Sequence, residues 1–107
     1  VTVWSDLEVF GGARQISTGS LDVGILANTL FQSEKREEMI GETMRMIKTG
    51  GTLLVVEWKQ APTQFGPPLE LRVNPEDIKH HAQRHAAQLI DEFEAGEYHW
   101  GLIFHKQ

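Results

Sequence analysis

The chain has 107 residues, a net charge of -5, 40% hydrophobic and 23% charged residues, and no cysteine. This is ordinary globular composition, and the length predicts one domain over 1–107. Missing cysteine excludes disulfides, thiol nucleophiles and Cys-based zinc sites and fits a reducing, cytoplasmic setting; no apolar run reaches the about 18 residues of a membrane span, and no basic run exceeds two residues, so neither membrane nor nucleic acid is the expected partner.

Val1 to Trp4 reads as a short strand. Asp6 to Ser20 contains Gly11, Gly12 and Gly19 and reads mostly as loop. Leu21 to Asn28 is mostly apolar, ends at a polar residue, and its length favours a strand over a helix.

Ser33 is placed to cap the next helix, and Glu34, Glu37 and Glu38 suit its positive end. Ile40, Met44 and Ile47 recur at helical spacing, which gives a one-sided amphipathic helix. Lys48 is expected at its negative end, with Gly50 or Gly51 supplying a left-handed stop. Thr52 to Trp58 follows as a near-continuous apolar strand, the pattern of a strand covered on both faces in a parallel sheet.

Ala61 to Val73 contains Pro62, Gly66, Pro67 and Pro68 and reads as loop. Asn74-Pro75-Glu76-Asp77 is a helix start, with Asn as N-cap and Pro at the first position. Ile78, His81, Ala82, His85, Ala86 and Leu89 give its inward stripe. Gln88 to Glu94 reads as a strand, Ala95 to Glu97 as a turn, and Tyr98, Trp100, Leu102 and Phe104 alternate along a last strand. Two strands this close in sequence pair as an antiparallel hairpin. The order β, β, α, β, α, β, β is α/β: a parallel βαβ core closed by a C-terminal antiparallel hairpin.

Four stretches in this order, "GSLDVGILANTLFQ", "ETMRMIKTGGTLLVVEWKQ", "FGPPLELRVNPEDI" and "FEAGEYHWGLIFHK", resemble the C-terminal half of class I S-adenosylmethionine-dependent methyltransferases. The likeness is to the small-molecule type related to ubiquinone/menaquinone biosynthesis. It implies a partial Rossmann-like sheet and methyl transfer from S-adenosylmethionine (SAM) to a small acceptor. The family's Gly-rich cofactor loop and ribose-binding acid have no counterpart here. The chain is therefore expected to start after the strands that hold most of the cofactor and to bind SAM alone weakly or not at all. A non-enzymatic module that assembles as a homodimer or with a partner chain is the alternative.

Carried over residue by residue, the resemblance puts Asp6 beside the adenine amino group and Leu7 along the ring. Asn28, at the end of a strand where ligands collect in α/β sheets, falls beside the methyl group. Thr29, Leu30, Trp58 and Lys59 are the expected acceptor wall. No catalytic residue is implied. An unpaired edge on strand 21–28 is an association liability, so a homo-oligomer or a missing N-terminal half is the expected partner.

His81 and His85 stand one helical turn apart, but no Glu is placed as in the HExxH zinc helix, so no metal site is expected. His99 and His105 lie roughly 20 Å apart along an extended strand and cannot share a metal. Arg72 reads as an exposed loop cation or an acid-binding group.

Overall fold

The structure is a computed structural model that describes residues 18–27, 30 and 35–107. The expected strand Val1 to Trp4, the pair Gly11-Gly12 and the expected cap Ser33 lie outside the described residues. In chain order the elements are β1 (Leu21–Ala27), α1 (Arg36–Met46), β2 (Ile47–Trp58), α2 (Pro75–Gln83), β3 (Ala87–Glu94) and β4 (His99–Lys106), with a short 3-10 turn at Leu69–Leu71 before α2. No helix among the described residues is long and apolar enough to cross a membrane.

The four strands form one sheet in the order β1-β2-β4-β3. β1 and β2 are parallel and joined through α1, and β4 runs antiparallel to both β2 and β3. The expected βαβ unit closed by a hairpin is therefore present.

The period-two alternation of each strand separates two faces. On one face Gly24, Leu53, Phe104 and Leu89 lie in a cross-strand row, and Leu26, Val55 and Leu102 lie in the next. These side chains meet Met39, Ile40 and Met44 of α1 and Ile78 and Ala82 of α2 in one buried cluster. Full burial of each such aliphatic side chain contributes about 1.5–3 kcal/mol. At Gly24 an added Cβ would lie 2.9 Å from both Thr43 and Ile47, so glycine lets α1 settle onto β1.

The other face carries Val23, Ile25, Leu54, Val56, Trp58, Ile103 and Phe93. Among the described residues no helix covers it, and Ile25 is 62% exposed. Among the described residues the expectation that β2 is covered on both faces is thus met on one face only. Phe93 folds its ring over Gly101, its cross-strand partner, where an added Cβ would come within 2.3 Å of the ring.

Local boundaries differ from the sequence reading for identifiable reasons. α1 ends at Met46 and passes directly into β2, because Ile47 is already extended (φ -79, ψ 135). Lys48 therefore lies in the strand. Gly50 has the expected positive φ, +83, but it sits inside β2. There the pairing jumps from Leu21↔Ile47 to Val23↔Thr52, so the glycine serves a bulge and not a helix stop. α2 starts as expected, with Asn74 Oδ1 accepting from the Glu76 N–H at 2.9 Å, but ends at Gln83. Ala86 turns the chain with φ +63, so Ala86 and Leu89 do not continue the helical stripe.

Candidate functional site

Parallel β1 and β2 end on the same side of the sheet, and β4 begins there. Loops at the carboxyl ends of strands are where α/β sheets hold ligands. Charged side chains organise the loops at this end by bonding main chain.

The first is Glu57, which follows Leu53 and Val55 on the covered face and is fully buried. Its Oε2 accepts from the Leu30 N–H at 2.8 Å, tying the segment after β1 to the end of β2. Leu30 is also fully buried, and its carbonyl accepts from Arg36 Nε at 2.9 Å. Arg36 Nη2 donates to the Leu71 carbonyl at 2.9 Å, which joins the same segment to the 3-10 turn before α2.

The second is Arg72, only 5% exposed, where the sequence suggested a solvated loop cation. Its Nε donates to Pro67 O at 3.1 Å. Its Nη1 donates to Lys59 O at 3.1 Å and Ala61 O at 2.6 Å. Its Nη2 donates to Thr63 Oγ1 at 2.6 Å and Phe65 O at 3.0 Å. A guanidinium has five N–H donors, and all five are engaged by neutral oxygens of the 59–67 loop.

An aromatic cluster stands beside this hub. Arg72 lies 5.3 Å from the Trp58 ring centre, a cation–π contact. His99 packs on Trp58 at 4.3 Å between centroids, and Gly66 lies so close to the indole that an added Cβ would come within 2.9 Å of it. Phe65 meets Tyr98 edge-on at 4.7 Å and Trp58 at 6.0 Å, and remains 49% exposed.

Of the residues proposed from sequence, Asp6, Leu7, Asn28 and Thr29 lie outside the described residues. Leu30, Trp58 and Lys59 are all brought to the carboxyl end. Trp58 is engaged by Arg72, Gly66 and His99. Lys59 donates its N–H to Tyr98 O at 2.8 Å and pairs through Nζ with Glu94 at 3.0 Å. Sequence reasoning missed the roles of Glu57, Arg36, Arg72 and Phe65. Glu57 left a signal, an acid at the inward parity of an apolar strand.

The histidines take separate contacts. His81 Nδ1 lies 3.0 Å from Glu37 Oε1, while His85 packs against Gly41. Among the described residues no three His, Asp or Glu are grouped to hold a metal ion. An open groove lined by Gly41, Met44, Arg45, His85 and Lys106 lies at the amino ends of the parallel strands, and Lys106 Nζ there donates to the Met44 and Ile47 carbonyls at 2.8 Å each.

No family model and no curated protein matches the sequence. Solved structures do match. A type 11 methyltransferase from Sulfolobus solfataricus aligns with a TM-score of 0.76 and 25% identity over 88% of this chain and 55% of its own. A SAM-dependent methyltransferase from Aquifex aeolicus aligns at 0.74 and 19% identity, over 83% of this chain and 47% of its own. The trans-methyltransferase CalH, solved as a complex with SAH, aligns at 0.78 and 15% identity, over 95% of this chain and 34% of its own. The chain thus has the Rossmann-like methyltransferase fold and spans 55% or less of each of these proteins.

Proposed function

We propose that this chain is the C-terminal part of a SAM-dependent methyltransferase that acts on a small molecule, completed by an N-terminal half that carries the Gly-rich cofactor loop. The observation that supports it best is the sheet β1-β2-β4-β3, whose carboxyl-end loops are fixed by the buried Glu57 and Arg72. The described residues suit one wall of a cofactor crevice: two adjacent parallel strand ends with a tethered segment after each. Asp6, Leu7 and Asn28 would hold the adenine and methyl ends of SAM. Bound SAM supplies a methyl group on a good sulfonium leaving group, so the protein's work is positioning. Glu57 holds the segment after β1, Arg72 holds the segment after β2, and Leu30, Trp58 and Lys59 form the acceptor wall.

The test is transfer of labelled methyl from SAM to a panel of small acceptors by the chain joined to such an N-terminal half. Label recovered in an acceptor supports the reading. A folded, SAM-binding protein that transfers nothing to any of them counts against it.

One observation favours a second reading, a methyltransferase-like module that works by assembly. Among the described residues the two outer strands of the sheet are built differently. β3 carries Asp91, Glu92 and Glu94 and a register shift beside Ile90, features that discourage further pairing. β1 carries only Asp22 as a charge and exposes Val23 and Ile25. Such an edge suits a further strand, from an N-terminal half or from a second copy.

A further inference from the structure

We infer that Arg72 is the positioning residue of the acceptor wall, and that the loop it holds presents Phe65 to an uncharged, apolar acceptor. This rests on the reading above and names the substrate class.

A buried cation is costly unless its donors are satisfied. Arg72 has no carboxylate among its described partners, and its five N–H groups are instead distributed over Lys59, Ala61, Thr63, Phe65 and Pro67. Those partners run along most of the loop, so one side chain determines its shape. The Thr63 hydroxyl also donates to the Phe65 carbonyl, and Gly66, at φ +87, lets the chain lie flat on Trp58. The loop is therefore rigidly built, yet it leaves a large aromatic side chain half in solvent. Leu69 and Leu71, in the same connection between β2 and α2, are also exposed.

The chemistry of the occupant follows from the charges. Arg72 has no donor left. Lys59 is paired with Glu94, and Arg36 is bound to the carbonyls of Leu30 and Leu71. Among the described residues these cations are thus engaged by the protein's own groups, whereas the exposed side chains of the 59–67 loop, Gln60, Ala61, Pro62, Gln64 and Phe65, are all uncharged. An anionic acceptor would find poor complementarity, and a neutral one with an apolar ring or chain would find Phe65.

Two probes of equal ring size separate these cases: p-cresol, neutral, and benzoate, anionic. Each is titrated into the 15N-labelled protein, the wild type beside Phe65→Ser and Arg72→Lys. The expected result is that p-cresol shifts amides in the 63–71 segment and binds tighter than benzoate. Phe65→Ser should weaken p-cresol by more than about tenfold while the protein stays folded, at a modestly lower unfolding midpoint because its packing on Tyr98 and Trp58 is lost. Arg72→Lys keeps the charge but not the five-donor fork. It should raise hydrogen exchange across 59–67 and weaken p-cresol although Phe65 is still present. Tighter binding of benzoate, probe shifts confined to the sheet face around Val23 and Ile25, or full p-cresol affinity in Phe65→Ser overturns the inference. So does Arg72→Lys with unchanged loop exchange. If Arg72→Lys does not fold, the Phe65→Ser comparison decides alone. SAM binding, measured separately, tests the methyltransferase reading and leaves this outcome standing or falling by itself.

Discussion

Glu57 and Leu30 are 27 positions apart and share one buried hydrogen bond, from the Leu30 N–H to Glu57 Oε2 at 2.8 Å. The bond fixes where the chain goes after β1. Glu57→Gln keeps an acceptor oxygen of similar shape and should cost about 1 kcal/mol. Glu57→Ala leaves a buried N–H without its acceptor and opens a cavity, and should cost about 3 kcal/mol or more. Urea unfolding midpoints check this order. Equal midpoints for the wild type and Glu57→Ala would show that the bond carries no stability.

Three backbone positions yield opposite signs. Gly50 has φ +83 with open space around it, so Gly50→Ala should cost about 1 kcal/mol from conformation alone. At Gly51 an added Cβ would lie 2.6 Å from Ile47 and 2.8 Å from the Asp22 carbonyl, so Gly51→Ala should cost more. Ala86 is a non-glycine residue at φ +63, and Ala86→Gly should stabilise by up to about 1 kcal/mol. Thermal unfolding of the three variants measures the order. A destabilised Ala86→Gly would show that the turn does not strain alanine.

These positions also show what the sequence made legible. The α/β order, the strand alternation and the Asn74 cap depend on local spacing, and all can be read directly. Gly50's positive φ was legible, but its role was not, because a bulge depends on the register of a neighbouring strand. Ala86 gave no signal, since alanine favours helix and only the downstream hairpin forces the turn. Arg72 was hidden for a different reason. Its partners are mostly main-chain carbonyls, which every sequence supplies, so no pairing residue announces the hub. Of the candidate site, Leu30, Trp58 and Lys59 can be placed, whereas Asp6, Leu7, Asn28 and Thr29 lie outside the described residues.

Acid should loosen the contact between the two helices. Glu37 Oε1 accepts from Arg84 Nη1 at 2.7 Å and lies 3.0 Å from His81 Nδ1. The Arg84 hydrogen bond, with the His81 contact adding to it, holds the carboxyl below its usual value of 4.5. A lowered folded-state value means that the contribution is complete above 4.5 and is lost as pH falls through the lowered value. The wild type should therefore exceed Glu37→Gln in unfolding midpoint near neutral pH and converge with it in acid. The gap should be small and shrink with salt, because the pair is solvated. A gap that widens in acid would contradict the sign.

The open sheet face predicts association. If an N-terminal half is not supplied, a second copy should cover β1 and the face around Ile25, over about 1,200 Å² or more in total. Light scattering at micromolar concentration should then give a mass above the 12.1 kDa of one chain. Ile25→Lys should return it toward the monomer. A monomer at all concentrations would mean that the face tolerates water.

The central claim is that the carboxyl ends of β1 and β2 form one wall of a SAM site. Titration of SAM into the 15N-labelled chain, followed residue by residue, tests it most directly. The account predicts weak binding, well above micromolar, with shifts gathered at Leu30 and at Glu57 to Lys59, and none around the amino-end groove of Gly41, His85 and Lys106. Micromolar binding by this chain alone, or shifts gathered at the amino end, would contradict it.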